Sequence, residues 1–120
     1  MGNPFCHVEL ETTDVDKAKA FYGKLFDWKF DDMPMDGFAY TLIRVGEGTG
    51  GGLMAQPTPG APSTWLAYVL VDNLEAATNK AKSLGAKICK EKTEVPGAGA
   101  FSIITDPTGA MLGLWEPKKG

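Results

Sequence analysis

Hydrophobic and polar positions alternate along the N-terminal segment 5–11. One face carries Phe5, His7, Glu9 and Glu11, and the other carries Cys6, Val8 and Leu10. A period of two predicts a half-buried strand. The polar residues at 12–14 are typical of a helix N-cap. The apolar residues that follow recur at helical spacing: Val15, Ala18, Tyr22, Leu25 and Phe26. The sequence therefore predicts a strand followed by an amphipathic helix that buries this apolar side.

The rest of the first half predicts further strands. Apolar runs indicate a short strand over 28–30 and a longer one over 38–45, with Asp36 and Gly37 as the turn between them. The glycine-rich segment 47–52 is predicted to be irregular, because glycine weakens the interior of a strand. Regular structure is expected to resume only at Leu53 and Met54.

Residues 56–63 contain three prolines and form the clearest linker in the chain. After it the order of elements repeats. A strand is predicted over 64–71, and Asn73 begins a helix that Gly85 ends. The expected buried face of this helix comprises Leu74, Ala77, Ala81 and Leu84. Three more strands are predicted over 87–93, 99–105 and 111–115, and the turn sequence Asp-Pro-Thr-Gly at 106–109 precedes the last.

The two halves align as copies of one strand–helix–strand–strand–strand unit. An offset of 59 residues pairs Val15 with Leu74 and Leu25 with Leu84. We therefore predict a single domain over 1–120, with one βαβββ module over about 4–55, a linker over 56–63 and a second module over about 64–117. A unit of this size cannot cover its own sheet, so two must pair. The predicted fold class is α+β, with the modules paired around a curved mixed sheet that leaves a cleft. Pairing within the chain and pairing across a swapped dimer both remain open.

Composition and charge narrow the range of partners. The chain has 120 residues, is 43% hydrophobic and 22% charged, and has a formal net charge of −3. Without a basic cluster, nucleic acid is not expected as a partner. No apolar run reaches the length of a membrane span, and the N-terminus does not resemble a signal peptide. Two cysteines without CxxC spacing predict buried free thiols in a reducing compartment, so the expected location is the cytoplasm.

Several separated motifs together resemble one superfamily. They are the paired βαβββ pattern, the sequence DVDKAKAFY followed by GKLFDW over 14–28, and DPTG at 106–109 before a strand. With these, the chain resembles the glyoxalase, bleomycin-resistance and extradiol-dioxygenase superfamily, also called the vicinal oxygen chelate or VOC domain superfamily. Its members include lyases, isomerases, dioxygenases, thiol transferases and catalytically inert binding proteins. The resemblance therefore implies the fold and leaves the chemistry open.

The resemblance also implies where a metal would bind. Metal-dependent members take His, Glu or Gln ligands from the first and last strands of both halves, and these positions fall on His7, Gly52, Leu66 and Gly113. Of these, only His7 has a donor side chain. Glu9 shares its face, which gives two ligands where a divalent site generally needs three or four. We expect no cofactor, with a divalent ion such as Zn, Ni, Fe or Mn at an incomplete site as the alternative.

The implied cleft has an aromatic and thioether lining. By strand alternation, Glu9, Met54, Tyr68, Met111 and Trp115 share the face of the four ligand positions. Gly52 and Gly113 are expected to leave room above the floor. The predicted ligand-binding residues are His7, Gly52, Met54, Leu66, Tyr68, Met111, Gly113 and Trp115. Such a surface suits a flat or apolar small molecule, although the same residues could also pack together or form a dimer surface.

Three hypotheses follow. The leading one is a metal-free small-molecule-binding protein, similar to the antibiotic-sequestering branch of the superfamily. The alternative is an enzyme, a glyoxalase-like metal-dependent lyase or dioxygenase, with His7 and Glu9 as candidate catalytic residues. The third is a structural module whose cleft is closed by packing. A small-molecule ligand and a second copy of the chain, in a homodimer, are the expected partners; nucleic acid and membranes are not.

Overall fold

The computed structural model describes residues 2–35 and 38–118. Its chain divides into two compact units. The first contains residues 7–66, and the second contains the residues up to Cys6 together with those from Ala67 onward. The turn predicted at Asp36 and Gly37 lies outside the described residues.

The first unit is a four-stranded sheet with one helix. Its elements are β1 (Phe5–Thr12, which enters the unit at His7), α1 (Val15–Leu25), β2 (Lys29–Met35), β3 (Phe38–Arg44) and β4 (Gly51–Ala55). The strands lie in the order β2-β3-β4-β1. β1 and β4 are parallel, whereas β2 with β3 and β3 with β4 are antiparallel.

The second unit repeats this arrangement. Its elements are β5 (Thr64–Leu70, which enters the unit at Ala67), α2 (Leu74–Ser83), β6 (Lys87–Val95), β7 (Gly99–Thr105) and β8 (Met111–Pro117). The strand order is β5-β8-β7-β6, with β5 and β8 parallel and the other pairs antiparallel. The predicted α+β class with two βαβββ units is confirmed. None of the helices in the described part of the chain is long and apolar enough to cross a membrane.

Both helices begin at the predicted caps. The Asp14 carboxylate accepts a hydrogen bond from the Lys17 amide at 3.0 Å, and the Asn73 side-chain oxygen accepts one from the Ala76 amide at 2.9 Å. Such a cap typically stabilises a helix by about 1 kcal/mol. Gly85, with φ +102°, follows the end of α2, where a residue with a side chain would be strained.

The helix covers one face of the sheet in each unit. In the first unit, α1 packs over a buried cluster of Leu10, Ile43 and Leu53. In the second unit, Leu74 of α2 packs in a buried cluster with Val71, Ala100, Ile104 and Leu114. The side chains on the other face of each sheet are therefore turned away from the helix, because successive residues of a strand alternate between faces.

The helix C-termini differ from the prediction. Leu25, Phe26 and Leu84 were expected on buried faces, but they are 55%, 45% and 69% exposed. Phe26 and Leu84 are C-cap residues, and their backbone leaves the helical phase on which the prediction depended. Phe26 instead packs beside Trp28, with the two rings tilted by 39° and their centroids 4.7 Å apart.

Two further predictions were wrong. Cys89 is exposed because it lies on the edge strand β6, although Cys6 is half-buried and both thiols are free. The glycine-rich segment also joins the sheet earlier than expected, since β4 begins at Gly51. The reason is close backbone approach: a Cβ at Gly51 would overlap the Val8 carbonyl on β1. Glycine permits this approach, so its presence in the strand marks a tight contact rather than an irregular loop.

We expect Gly51→Ala to destabilise the protein by about 1–3 kcal/mol or more, the usual cost of overpacking, because the obstructing atoms belong to the backbone and cannot rotate away. Urea denaturation measures the loss. Gly2→Ala is the control, since nothing lies within 4 Å of a Cβ there. Equal stability of the two variants would show that the β1–β4 approach is not tight.

Candidate functional site

The polar candidates lie on the face of the first unit's sheet that is turned away from α1. Leu10 belongs to the core beneath the helix, so alternation places His7 and Glu9 of β1 on the other face. The β1–β4 register sets Glu9 beside Gly52, and the β3–β4 register sets Tyr40 beside Met54. The same face therefore carries residues from three strands.

A chain of hydrogen bonds joins His7, Tyr40 and Glu9. The Tyr40 hydroxyl donates to Glu9 Oε1 at 3.0 Å, and His7 Nε2 lies 2.8 Å from the same hydroxyl oxygen. A phenol hydroxyl can donate one hydrogen bond, and Tyr40 donates it to the Glu9 carboxylate. His7 must then donate from Nε2, so the array assigns the Nε2–H tautomer to the neutral imidazole.

Burial favours the neutral form of the imidazole in this array. Glu9 is only 6% exposed and His7 is half-buried. Desolvation lowers the pKa of His7 below its ordinary value of 6.5, because the imidazolium loses hydration that the neutral ring needs less. His7 is therefore neutral at pH 7. A buried carboxylate needs a hydrogen-bond donor, and Tyr40 supplies one to Glu9.

Gly52 does not leave open space above the sheet. A Cβ at this position would overlap the hydroxyl and ring of Tyr40. The tyrosine lies diagonally across β4 and fills the volume that a side chain at 52 would occupy. The expectation that Gly52 widens a cleft was wrong for this reason, and the glycine instead permits the His7–Tyr40–Glu9 array.

The second unit has an aromatic group on its own face away from α2. The Tyr68 ring lies over Gly113, where a Cβ would overlap it, and meets Phe101 edge to face with ring centroids 6.1 Å apart. Tyr68 is 5% exposed, and Trp115 is half-buried. Here too the glycine accommodates a tyrosine ring rather than leaving room.

The remaining predicted residues differ in exposure. Met54 is half-buried beside Tyr40 in the first unit. Leu66, at the end of that unit, is 3% exposed, whereas Met111, at the start of β8, is 51% exposed. The structure thus brings His7, Glu9, Gly52 and Met54 together on one sheet face, and places Tyr68, Gly113 and Trp115 on one face of the other unit.

A recess of about 290 Å³ lies on the opposite, helix-side face of the first unit. Two indole rings, those of Trp28 and Trp65, line it together with aliphatic side chains such as Val8 and Ile43. Its lining is apolar and contains none of the polar candidates. It offers an apolar ligand a second location, on the sheet face opposite His7.

The donor set does not fit a divalent metal ion. Among residues 2–35 and 38–118, no group of three or more His, Cys, Asp or Glu side chains is placed to hold one. Gly52 and Gly113 have no donor side chains, and the Glu9 carboxylate and the His7 imidazole, both on β1, are already joined through the Tyr40 phenol. A divalent site generally needs three or four converging ligands.

Tyr40 is the member of the hydrogen-bonded array that sequence reasoning missed. It contacts residues 31 and 33 positions away in the chain. The alternation within 38–45 places Tyr40 on one face of β3, but only the order and register of β3, β4 and β1 show that this face meets His7. Gly52, on the strand next to that of His7, was the available signal, since glycine in a strand often marks close approach by another group.

With this geometry in place, comparison identifies the class of protein. The sequence model of the family described as "Glyoxalase/Bleomycin resistance protein/Dioxygenase superfamily" matches residues 5–114. The chain belongs to this superfamily, as the sequence motifs indicated.

Relatives and solved structures agree with this assignment. The chain is 36% identical over 118 residues to proteins named "Putative glyoxylase CFP32" from Mycobacterium bovis and Mycobacterium tuberculosis, in an alignment that covers 93% of this chain. It spans only 45% of the length of those relatives. Methylmalonyl-CoA epimerase from Mycobacterium tuberculosis has a similar fold, with a TM-score of 0.73, 20% identity and coverage of 96% of this chain and 88% of the epimerase. The hypothetical protein BH1468 from Bacillus halodurans gives a TM-score of 0.72 at 17% identity, with 100% and 98% coverage.

We expect acidification to reduce stability through His7. Its pKa is lowered in the folded state, so the unfolded chain binds the proton more readily and the free energy of unfolding falls as pH decreases through about 6.5 and below. Urea denaturation between about pH 7.5 and about pH 5 should show a smaller decrease in His7→Gln. Because His7 is the only histidine, its NMR titration reads the pKa directly. A midpoint at or above 6.5 would contradict the expectation.

Proposed function

We propose that this protein is a metal-free small-molecule-binding member of the superfamily, in which the His7–Tyr40–Glu9 array orients one polar group of an aromatic or apolar ligand. The observation that carries the proposal is the hydrogen-bonded Tyr40 hydroxyl, which joins the two candidate ligands of a metal to each other. The array is built before any ligand arrives. A preorganised site loses less free energy on binding than one that must be ordered.

The surroundings of the array favour an apolar ligand body. Met54 lies beside Tyr40, and its thioether adapts to ligands of different shape. In the Nε2–H tautomer, Nδ1 of the neutral imidazole is an acceptor, so it can receive a hydrogen bond from a ligand hydroxyl group without the desolvation cost of a charged pair. The aromatic contacts predicted from Tyr68 and Trp115 remain a prediction, as do the homodimer and the cytoplasmic location.

A glyoxalase-like enzyme is the second candidate, and the relatives named as glyoxylases favour it. In this candidate His7 acts as a general base, since it is neutral at pH 7 and held in one tautomer. The relatives are more than twice as long as the aligned segment, so their activity does not transfer to this chain without a test. Glyoxalase and dioxygenase turnover that disappears in His7→Ala would replace the binding proposal with this one.

Thermal denaturation with a panel of aromatic small molecules tests the binding proposal. A ligand present at about 100 times its dissociation constant should stabilise the protein by about 2.7 kcal/mol. Tyr40→Phe should weaken that ligand by about tenfold, the effect of losing one hydrogen bond of about 1.5 kcal/mol. Tyr22→Phe is the matched control, because it removes a phenol hydroxyl from α1 on the other side of the sheet. Equal loss in both variants would contradict the proposed site.

Fluorescence distinguishes the two faces of the first unit. The chain has three tryptophans, and Trp28 and Trp65 line the helix-side recess. In the double variant Trp28→Phe/Trp65→Phe, Trp115 is the sole reporter. We expect the ligand to bind this variant with unchanged affinity by thermal denaturation, and quenching of Trp115 would support the separate contact predicted from the sequence. Loss of binding there would instead place the ligand in the recess.

A further inference from the structure

We infer that Tyr40, together with Gly52, determines that this site excludes divalent metal ions. The inference deepens the metal-free part of the proposed function and rests on it. The Tyr40 phenol lies over Gly52 and occupies the volume in which a third ligand side chain and a cation would have to lie.

The geometry supports this in two ways. The first is steric: any side chain at position 52 begins with a Cβ that overlaps the Tyr40 hydroxyl and ring. A ligand cannot therefore be introduced at 52 while Tyr40 holds its place. Because β4 pairs with β1 in parallel, position 52 is the neighbour of Glu9, and it is the residue of β4 best placed to complete a site with His7 and Glu9.

The second support is the hydrogen-bond pattern. His7 Nε2 donates its proton to Tyr40, so this nitrogen has no lone pair directed toward a cation. Glu9 Oε1 accepts the phenol proton at 3.0 Å. A metal ligand must present a lone pair, whereas His7 Nε2 carries its proton and the phenol takes one lone pair of Glu9 Oε1. A cation bound at Nε2 would have to displace Tyr40 and change the tautomer of His7.

A double-mutant cycle tests the steric part. Gly52→Ala should destabilise the wild type, as measured by urea denaturation, and most of this loss should vanish in a Tyr40→Ala background. Gly51→Ala is the matched control, because its obstacle is the Val8 carbonyl and Tyr40→Ala cannot relieve it. A Gly52→Ala loss that persists in the Tyr40→Ala background overturns the inference, even if more drastic variants fail to fold.

Metal binding tests the consequence. Tag-free wild-type protein, Gly52→Glu, and the double variant Tyr40→Ala/Gly52→Glu are titrated with Zn²⁺ and Ni²⁺ by calorimetry. We expect about one equivalent bound by the double variant, at least about tenfold tighter than by Gly52→Glu alone, and lost when His7→Ala is added. Equal affinity in the single and double variants overturns the inference, and so does a folded double variant that binds no metal.

Two further results separate this inference from the proposed function. Stoichiometric metal in the wild type that requires His7 overturns both, and its loss in Tyr40→Phe would show that the phenol is itself a ligand. ¹⁵N NMR of His7 gives a signature that simple packing would not change: the Nε2–H tautomer should be almost the sole form in the wild type and in Tyr22→Phe, and Tyr40→Phe should raise the fraction of the Nδ1–H tautomer. An unchanged tautomer ratio in all three overturns the role of Tyr40 and leaves ligand binding to be judged separately.

Discussion

Parallel pairing between β1 and β4 places Val8 against Gly51 and Glu9 beside Gly52. Both glycines are needed for the arrangement, one because the neighbouring backbone comes close and the other because a tyrosine ring crosses above it. A slip of one residue would turn His7 and Glu9 toward α1 and would expose Leu10. The core and the candidate site therefore depend on one register, and neither can change without the other.

The covered face and the polar face of the first unit serve different purposes. Beneath α1, Leu10, Ile43 and Leu53 are almost fully buried and supply hydrophobic stabilisation. On the opposite face, Glu9 is as inaccessible as these residues although it is a carboxylic acid. Burial of an ionisable side chain costs free energy, and replacing buried charged groups by apolar residues of similar size often leaves the stability of a protein unchanged or increases it. Burial of Glu9 therefore does not by itself stabilise the fold. Its hydrogen bond to Tyr40 makes Glu9 part of a preorganised array, which is the physical reason to regard this face as a site.

Local patterns predicted much of this, and long-range contacts account for what they missed. Alternation over 5–11 was sufficient to place His7 and Glu9 together, and the caps at Asp14 and Asn73 were evident from side-chain chemistry. The role of Tyr40 could not be predicted, because it requires the register of three strands that are distant in sequence. Helical periodicity also failed at Leu84, where the chain leaves the helix at its C-cap. Gly52 was interpreted as empty space because a glycine in the sequence shows that a side chain is absent. It does not show which neighbouring side chain, here that of Tyr40, fills the volume.

The pairing of a glycine with an overlying tyrosine occurs in both units, at Gly52 with Tyr40 and at Gly113 with Tyr68. Each member of such a pair requires the other. A bare glycine would leave a void and weaken the strand, and an aromatic ring over it restores the lost contacts. A side chain in place of the glycine, with the tyrosine retained, would produce overlap. Gaining a metal ligand at either glycine thus needs two coordinated substitutions, and the intermediate with only one of them is destabilised. The superfamily fold accommodates many chemistries and does not itself require these glycine–tyrosine pairs. In this chain the steric coupling within each pair restricts the sheet face to one local arrangement.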